Sequence, residues 1–495
     1  MKKSKTPKKT LLSYLLFLLL TTSFFAQVGI GTVTPDASSI LDVVSNDRGV
    51  LTPRMTTAQK MAIVNPSNGL IVYDTDLKSF YFYDTTSVNW VRVNTNSDGR
   101  LKYKLIKSTD VLATVLADEL AAGGGAKYLL DSGTLYEING TINLNYPIEM
   151  NNAYISGQDS GEDKLIRTSG DLFTGTTGGS IRILTLSAPS GNVFNIDGAG
   201  TASLIFRDSI VASSLSVGSL KNFAIVFLSI VQYYGNANGV VYENVTRLLL
   251  SNTGWFSNNT GVYEKLNGTF SLAAKQGGFS EVTGSSIGFD VSSNPVITGD
   301  ATLESTVFTG TPTTGKYVNP YTVGGYTGYN FNNNWNVRCP GIPTETDASA
   351  VGDFAVDYPV GSGASTSFNT SNPSNIVKVQ GVSTSTNLFR FSTDGGVNNR
   401  LKYVGKKKRI FQVTGSISFQ VPAAGTYIIY IAKNATVISQ YKIYGRGLTT
   451  NDIVVLPLNA SVELSSNDYV EVYAQRYTGG TTDSIITPNM TLIVK

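Results

Sequence analysis

The sequence predicts an all-β protein in three sections: a short N-terminal β module, a solenoid of stacked coils, and a C-terminal jelly roll or sandwich. Three observations carry that prediction. Charged residues are only 15% of 495, whereas Gly takes 49 positions and Tyr 26, a balance that suits strands and turns and argues against helical bundles. β-Branched and aromatic residues recur throughout, which argues against disorder. Apolar runs are short, bounded by Gly, Asn and Asp, and one of them echoes itself in mid-chain. The length itself calls for two or three domains.

Residues 1–26 read as a secretory signal peptide. Lys2, Lys3, Lys5, Lys8 and Lys9 form a positive head, Leu11 to Leu20 a mostly apolar core, and Ala26 a small residue before Gln27. The core is too short for a stable bilayer span, so no transmembrane anchor is expected after cleavage. Phe24 departs from the small-x-small cleavage rule, and a membrane-anchored N-terminus is the alternative. Removing five lysines and no acids takes the formal charge from +3 to −2, which leaves no nucleic-acid footprint.

The chain contains no His, which excludes Ser-His-Asp and Cys-His nucleophiles, His-ligated zinc and an imidazole base. Carboxylate, Tyr, Lys and Arg chemistry remains. The lone Cys339 can form no disulfide within the chain and has no imidazole to activate it.

Residues 27–98 form the N-terminal β module, expected to serve attachment or assembly. "QVGIGT" from Gln27, "TPRMTTAQ" from Thr52, "GLIVYDTD" from Gly69 and the aromatic run Phe80 to Tyr83 with Trp90 read as short strands between turns. Together with the leader, these words resemble the N-terminal module of secreted surface proteins of the Bacteroidetes. The resemblance implies an envelope or extracellular setting and brings no catalytic residues.

Residues 99–335 read as the solenoid. Val111, Leu112, Val115, Leu116 and Leu120 make one apolar helical face, and Gly123 to Gly125 stop that helix. Strand-like pieces follow, and Gly239-Val-Val-Tyr-Glu243 is echoed 22 residues on by Gly261-Val-Tyr-Glu264 and more loosely by Gly288 to Val291. A unit this short cannot bury its own apolar side; stacked units bury a continuous core under a capping helix. The helix, the glycines and "YLLDSGTLYEINGTINL" resemble the right-handed parallel β-helix of pectin-lyase-like proteins and phage tailspikes, which implies roughly ten coils at about 4.8 Å each. An ordinary β-sandwich is the alternative.

Residues 336–375 lose apolar periodicity and read as a linker and an edge of the last domain. Residues 376–495 regain crisp strands, seven or eight of them, in a jelly roll or sandwich. "NRLKYVG", "YIIYIAKNATVI", "VELSSNDYVEVYAQ" and "MTLIVK" resemble C1q/TNF-like jelly-roll heads, a likeness that implies a homotrimer. No Gly-X-Y run is present, so the β-helix would be the stalk.

Few residues suggest chemistry. Asp159, Glu162 and Asp163 could hold Ca²⁺ or act as an acid/base pair, although such a loop is more often a solvated turn. Glu243 and Glu264, at equivalent repeat positions, could face each other as an acid/base pair or stand outward in solvent. Tyr321, Tyr326, Tyr329 and Trp335 lie among Asn residues, a composition that suits sugar rings or a packed cap on the solenoid. Lys406 to Arg409 are a compact basic run, expected to face solvent or an anionic surface polymer. No cofactor is implied. The expectation is a secreted or cell-surface trimeric fibre, structural or adhesive, binding a polysaccharide or a cell surface, with no nucleic-acid partner. The alternative is a tailspike-like polysaccharide depolymerase using solenoid carboxylates.

Overall fold

The computed structural model describes residues 27–93, 101–368, 375–478 and 483–495, so the leader expected at 1–26 lies outside the described residues. The chain forms two compact units, Met1–Arg100 and Leu101–Lys495. Among the described residues no helix is long and apolar enough to cross a membrane.

In the first unit, Val28–Ile30 pairs in parallel with Leu41–Val43. Arg54–Met55, Ile71–Asp74, Ser79–Asp84 and Asn89–Arg92 form a second sheet in chain order. Thr56 and Gln59 make a reciprocal capping box at the start of the short helix Thr57–Met61. From that helix Lys60 reaches the buried Asp74 at 2.7 Å and lies over the Tyr81 ring. Burial would raise the Asp74 carboxyl, but hydrogen bonds from Lys60, the Leu77 N–H and the Thr57 hydroxyl outweigh it and hold the group at about 2. Val72 is the one hydrophobic side chain fully buried among this unit's described residues, while Val28, Ile30, Leu41 and Leu51 are exposed. So small a core cannot offset chain entropy by itself.

The second unit opens with the strand Tyr103–Lys107. The expected helix is two short ones, Leu112–Val115 and Ala117–Ala122, broken at Leu116. Leu116 is buried and Leu112, Val115 and Leu120 pack on the solenoid core, but Val111 is exposed because it precedes the first turn. A side chain at Gly123 would meet the Lys127 carbonyl oxygen at 1.9 Å, and Gly124 and Gly125 take positive φ.

A parallel β-solenoid follows, and the fold class read from the sequence holds. Eight complete three-strand turns run from Leu135–Asn139, Thr141–Asn143 and Ile148–Glu149 to Val296–Glu304, Val307–Pro312 and Lys316–Asn319. Ser203–Ala212 and Ile225–Tyr234 each pass through a corner and serve two faces. The repeat length varies: Leu135 pairs with Tyr154, 19 residues on, and Ala301 with Trp335, 34 residues on. The insertions fall in the turns except for one register shift inside Val296–Glu304, and the buried column Leu204, Val226, Leu248, Ala273, Ala301 and Trp335 stays aligned. At one corner Ile183, Asp208, Ile230, Asn252, Gly277 and Ser305 occupy successive turns, all with φ between 52° and 68°. At another turn the buried Asn236 and Asn259 are stacked, amide to carbonyl at 2.9 Å.

Two antiparallel sheets over a second apolar core make the C-terminal sandwich. One contains Gly352–Asp357, Ser484–Val494, Arg409–Gln420 and Ile453–Leu464; the other contains Leu401–Tyr403, Tyr469–Thr478 and Gly425–Lys433. Segment 336–375 contributes more than a linker. Trp335–Arg338 pairs with the last solenoid turn, and Gly352–Asp357 pairs along its whole length with the terminal strand. The weak periodicity there reflects alternation between two different cores.

The buried Arg390 joins solenoid and sandwich. Its guanidinium donates to the carbonyls of Asn333 (2.8 Å), Trp335 (2.6 Å) and Glu345 (3.2 Å) and pairs with Asp347 at 3.1 Å. Asp347 in turn accepts the backbone N–H groups of Lys406 and Lys407.

Candidate ligand-binding cleft

Tyr326 and Tyr329 come from the loop that closes the solenoid, and they line a cleft of about 510 Å³ with Thr386, Asn387 and Leu388 of the sandwich. Tyr329 stacks on Phe389 with centroids 4.1 Å apart, and Tyr326 meets the same ring edge-on at 5.1 Å. Phe389 is buried, so both tyrosines are held from behind while remaining half-buried themselves. The Tyr326 hydroxyl donates to Asn333 Oδ1 at 2.6 Å, and burial pushes its pKa up.

Asp353 fixes the sandwich side of the lining. Its carboxylate accepts the backbone N–H groups of Thr386 and Asn387, the Thr386 hydroxyl at 2.9 Å and the Asn387 amide at 2.6 Å. Burial opposes ionisation there, but these four donors win and hold its pKa below the usual range. The Ser385 hydroxyl, also lining the cleft, is buried and has no hydrogen-bond partner among the described residues. Two rigid aromatic rings in one cleft with hydroxyl and amide groups can stack on the C–H face of a sugar ring and hydrogen-bond its hydroxyls.

The other two aromatic candidates do not join them. Tyr321 and Trp335 are buried in the solenoid core, where the Trp335 Nε1–H donates to the Tyr321 hydroxyl at 3.0 Å and that hydroxyl donates to the Pro295 carbonyl at 2.7 Å. Burial pushes the Tyr321 phenol up to about 12. They plug the end of the solenoid. Thr386 and Asn387 lie some sixty residues along the chain from Tyr326, in the polar run Ser383 to Asn387 that reads as an ordinary turn before the strand at Leu388, so nothing in the sequence joins them to the tyrosines.

The carboxylate candidates separate as well. Val240 pairs with Glu264, and Glu243 with Asn267, so Glu243 and Glu264 are not equivalent positions. The 22-residue echo aligned two glycines that belong to different parts of their turns, and the true register is 24. Glu243 points to the outer side, 3.7 Å from Lys221. Glu264 points into the core, accepts the Trp255 Nε1–H at 3.1 Å and pairs with the equally buried Lys275 at 2.9 Å. Lys275 also donates to Thr253 at 2.6 Å. No groove presents the two glutamates together.

Asp163 is a loop lock. It accepts the backbone N–H groups of Gly140 (2.7 Å), Gln158 (2.7 Å) and Asp159 (3.0 Å), which outweigh its burial and lower its pKa. Asp159 and Glu162 are exposed, and no cluster of three metal-ligating side chains occurs among the described residues. Cys339 is buried, which raises its thiol pKa.

Residues 29–108 match the family described as the phage tail like trimerisation region. No curated protein matches the chain. Among solved structures, similarity is found to the tailspike protein 4 enzymatically active domain of bacteriophage CBA120 (10% identity, 90% of this chain and 77% of that one, TM-score 0.24). It extends to the tailspike protein of Acinetobacter baumannii phage AM24 (9% identity, 87% and 91%, TM-score 0.24) and to murine APRIL (9% identity, 29% and 98%, TM-score 0.19). TM-scores of this size identify no shared fold, and the solenoid and sandwich are defined by their own strand pairing.

Proposed function

We propose that this protein is a trimeric, tail-fibre-like surface protein, exported and displayed outside the cell, that binds a glycan in the Tyr326–Tyr329 cleft. The first unit is the assembly module, the solenoid the stalk, and the C-terminal sandwich a C1q/TNF-like head. The observation that carries the trimer is the first unit's near-absence of a core: Val28, Ile30, Leu41 and Leu51 are exposed, as expected of a surface that other copies of the chain cover. The match to a trimerisation region over the same residues supports it. Binding is favoured over polymer cleavage because the nominated carboxylates do not share a groove.

Light scattering on the full chain tests the assembly: a trimer mass is expected, and Ile30→Asp with Leu41→Asp should yield monomer. A monomeric parent chain would end the reading. Titration with neutral oligosaccharides tests the site: Tyr329→Ala should weaken binding roughly tenfold or more, the value of an aromatic stack with its hydrogen bonds.

A further inference from the structure

We propose that a second cleft, between the last solenoid strands and the start of Arg409–Gln420, binds the carboxylate or sulfate groups of an acidic polysaccharide. Its volume is about 410 Å³, within the range of sites that hold small ligands, and Arg338, Lys407, Lys408 and Arg409 contribute to its lining. Two acids, Glu304 and Asp347, line it too. Asp347 already faces Arg390 at 3.1 Å and two backbone N–H groups, so its charge is satisfied within the junction. Glu304 holds Arg338 only loosely, at 3.9 Å, with most of that guanidinium exposed. Lys408 leans at 3.3 Å on Glu463, which does not line the cleft. Lys407 has no ion pair among the described residues, although its backbone N–H is tied to Asp347 at 2.7 Å. Arg409 donates to the Asp347 carbonyl and lies over the Phe411 ring, 4.8 Å from its centroid.

The result is a concave surface with surplus positive charge on a chain whose residues 27–495 carry a formal net charge of −2. The surplus is therefore local. A loosely held, mostly exposed guanidinium and an ammonium without an ion pair, both lining one cleft, match a carboxylate or sulfate ester, and Thr302 and Asn336 in the same lining can reach neighbouring hydroxyls. Nucleic acid fits less well, because the lining holds no aromatic side chain for base stacking and the charge does not run on as a stripe. The choice of a sugar polymer rests on the glycan reading above; the recognition of an anion does not.

The full-length chain is titrated by calorimetry with tetragalacturonate, a sulfated galactotetraose, neutral galactotetraose and a short DNA duplex. Binding of at least one anionic sugar is expected, weakening with salt, and falling by roughly tenfold or more per cation removed in Arg338→Gln/Lys407→Gln. Neutral-sugar binding should not change in that variant. Whichever anion binds more tightly names the group. Should the double variant fail to fold, Lys407→Gln alone repeats the test, since its ammonium holds no ion pair. The proposal is overturned if neither anion binds, if both variants bind it undiminished, or if the duplex binds more tightly than either sugar. Neutral binding without anion binding would sink this inference and leave the aromatic cleft standing; the reverse would sink that cleft alone.

Discussion

The middle of the solenoid and its C-terminal junction use the same side chains to opposite ends. In the middle, Tyr233 and Trp255 stack at 3.8 Å, Trp255 and Tyr263 at 5.0 Å, and Glu264 meets Lys275, all sealed inside. At the junction, Tyr326 and Tyr329 stand in one cleft and Arg338 and Lys407 in another, while the buried Arg390–Asp347 pair holds the walls together. The difference lies in what surrounds each residue. A regular turn offers only inward or outward positions, and an inward charge survives if the adjacent strand supplies its partner. Lys275 occupies the column of Leu250 and Leu303, and Glu264 that of Val240 and Phe289. Where the repeat stops, the loop closing the solenoid and the loops of the sandwich create concave surfaces that no single turn can form.

Breaking either buried ion pair should give the largest effects. Arg390→Ala removes one partner of a buried pair and takes the donor from the Asn333 and Trp335 carbonyls, and it should cost about 3–5 kcal/mol in urea denaturation. Glu264→Gln should cost a similar amount by leaving Lys275 uncompensated. The regions then part. Glu264→Gln with Lys275→Met should recover most of the loss, since an apolar pair of similar volume suits the surrounding columns. Arg390→Met with Asp347→Asn should not, because the carbonyls of Asn333 and Trp335 lose their donor, while that of Glu345 keeps only the Val337 N–H. Equal recovery in both would dissolve the distinction.

The aromatic residues sharpen it at smaller scale. Trp335→Ala should cost about 3–5 kcal/mol as a core truncation. Tyr329→Ala should cost less than about half of that, because its ring is only half-buried, while removing glycan binding. Paired thermal melts and titrations of the two variants read both quantities.

These contrasts also mark what the sequence could reveal. Alternating apolar residues and turn residues identified strands and a repeat, because inward positions of every coil need an apolar side chain. The register was harder. The corner column from Ile183 to Ser305 shares a backbone conformation but not an amino acid, so no echo in the letters reports it. The one literal echo, around Gly239 and Gly261, is offset from the pairing and misplaced Glu264 on the outside. "KYVNPYTVGGYTGYNFNNNW" showed an aromatic cluster, yet nothing in it separates Tyr321, which turns into the solenoid end, from Tyr329, which faces the sandwich. That separation depends on Phe389 and Asn387, brought near only by the closing strands.

The smallest predicted effects lie in pH. Asp163, in an early turn, has a lowered pKa because three backbone donors outweigh its burial. Its contribution is present above the unfolded carboxyl value of about 3.9 and is lost as pH falls through the folded value. Glu345, at the junction, is raised: burial is the largest influence, and the N–H groups of Asn330 and Phe331 only partly offset it. Its folded form holds a proton that the unfolded form has released, so its contribution declines as pH rises through the window above the unfolded value. Urea midpoints measured across mildly acidic pH should therefore shift in opposite senses for the two substitutions. Asp163→Asn should flatten the acid-side loss of stability. Glu345→Gln, which keeps one oxygen to accept an N–H, should remove a decline on the neutral side. If both variants changed the profile in the same direction, the two regions would not differ electrostatically, and the junction's buried carboxyl would be ionised as readily as any other.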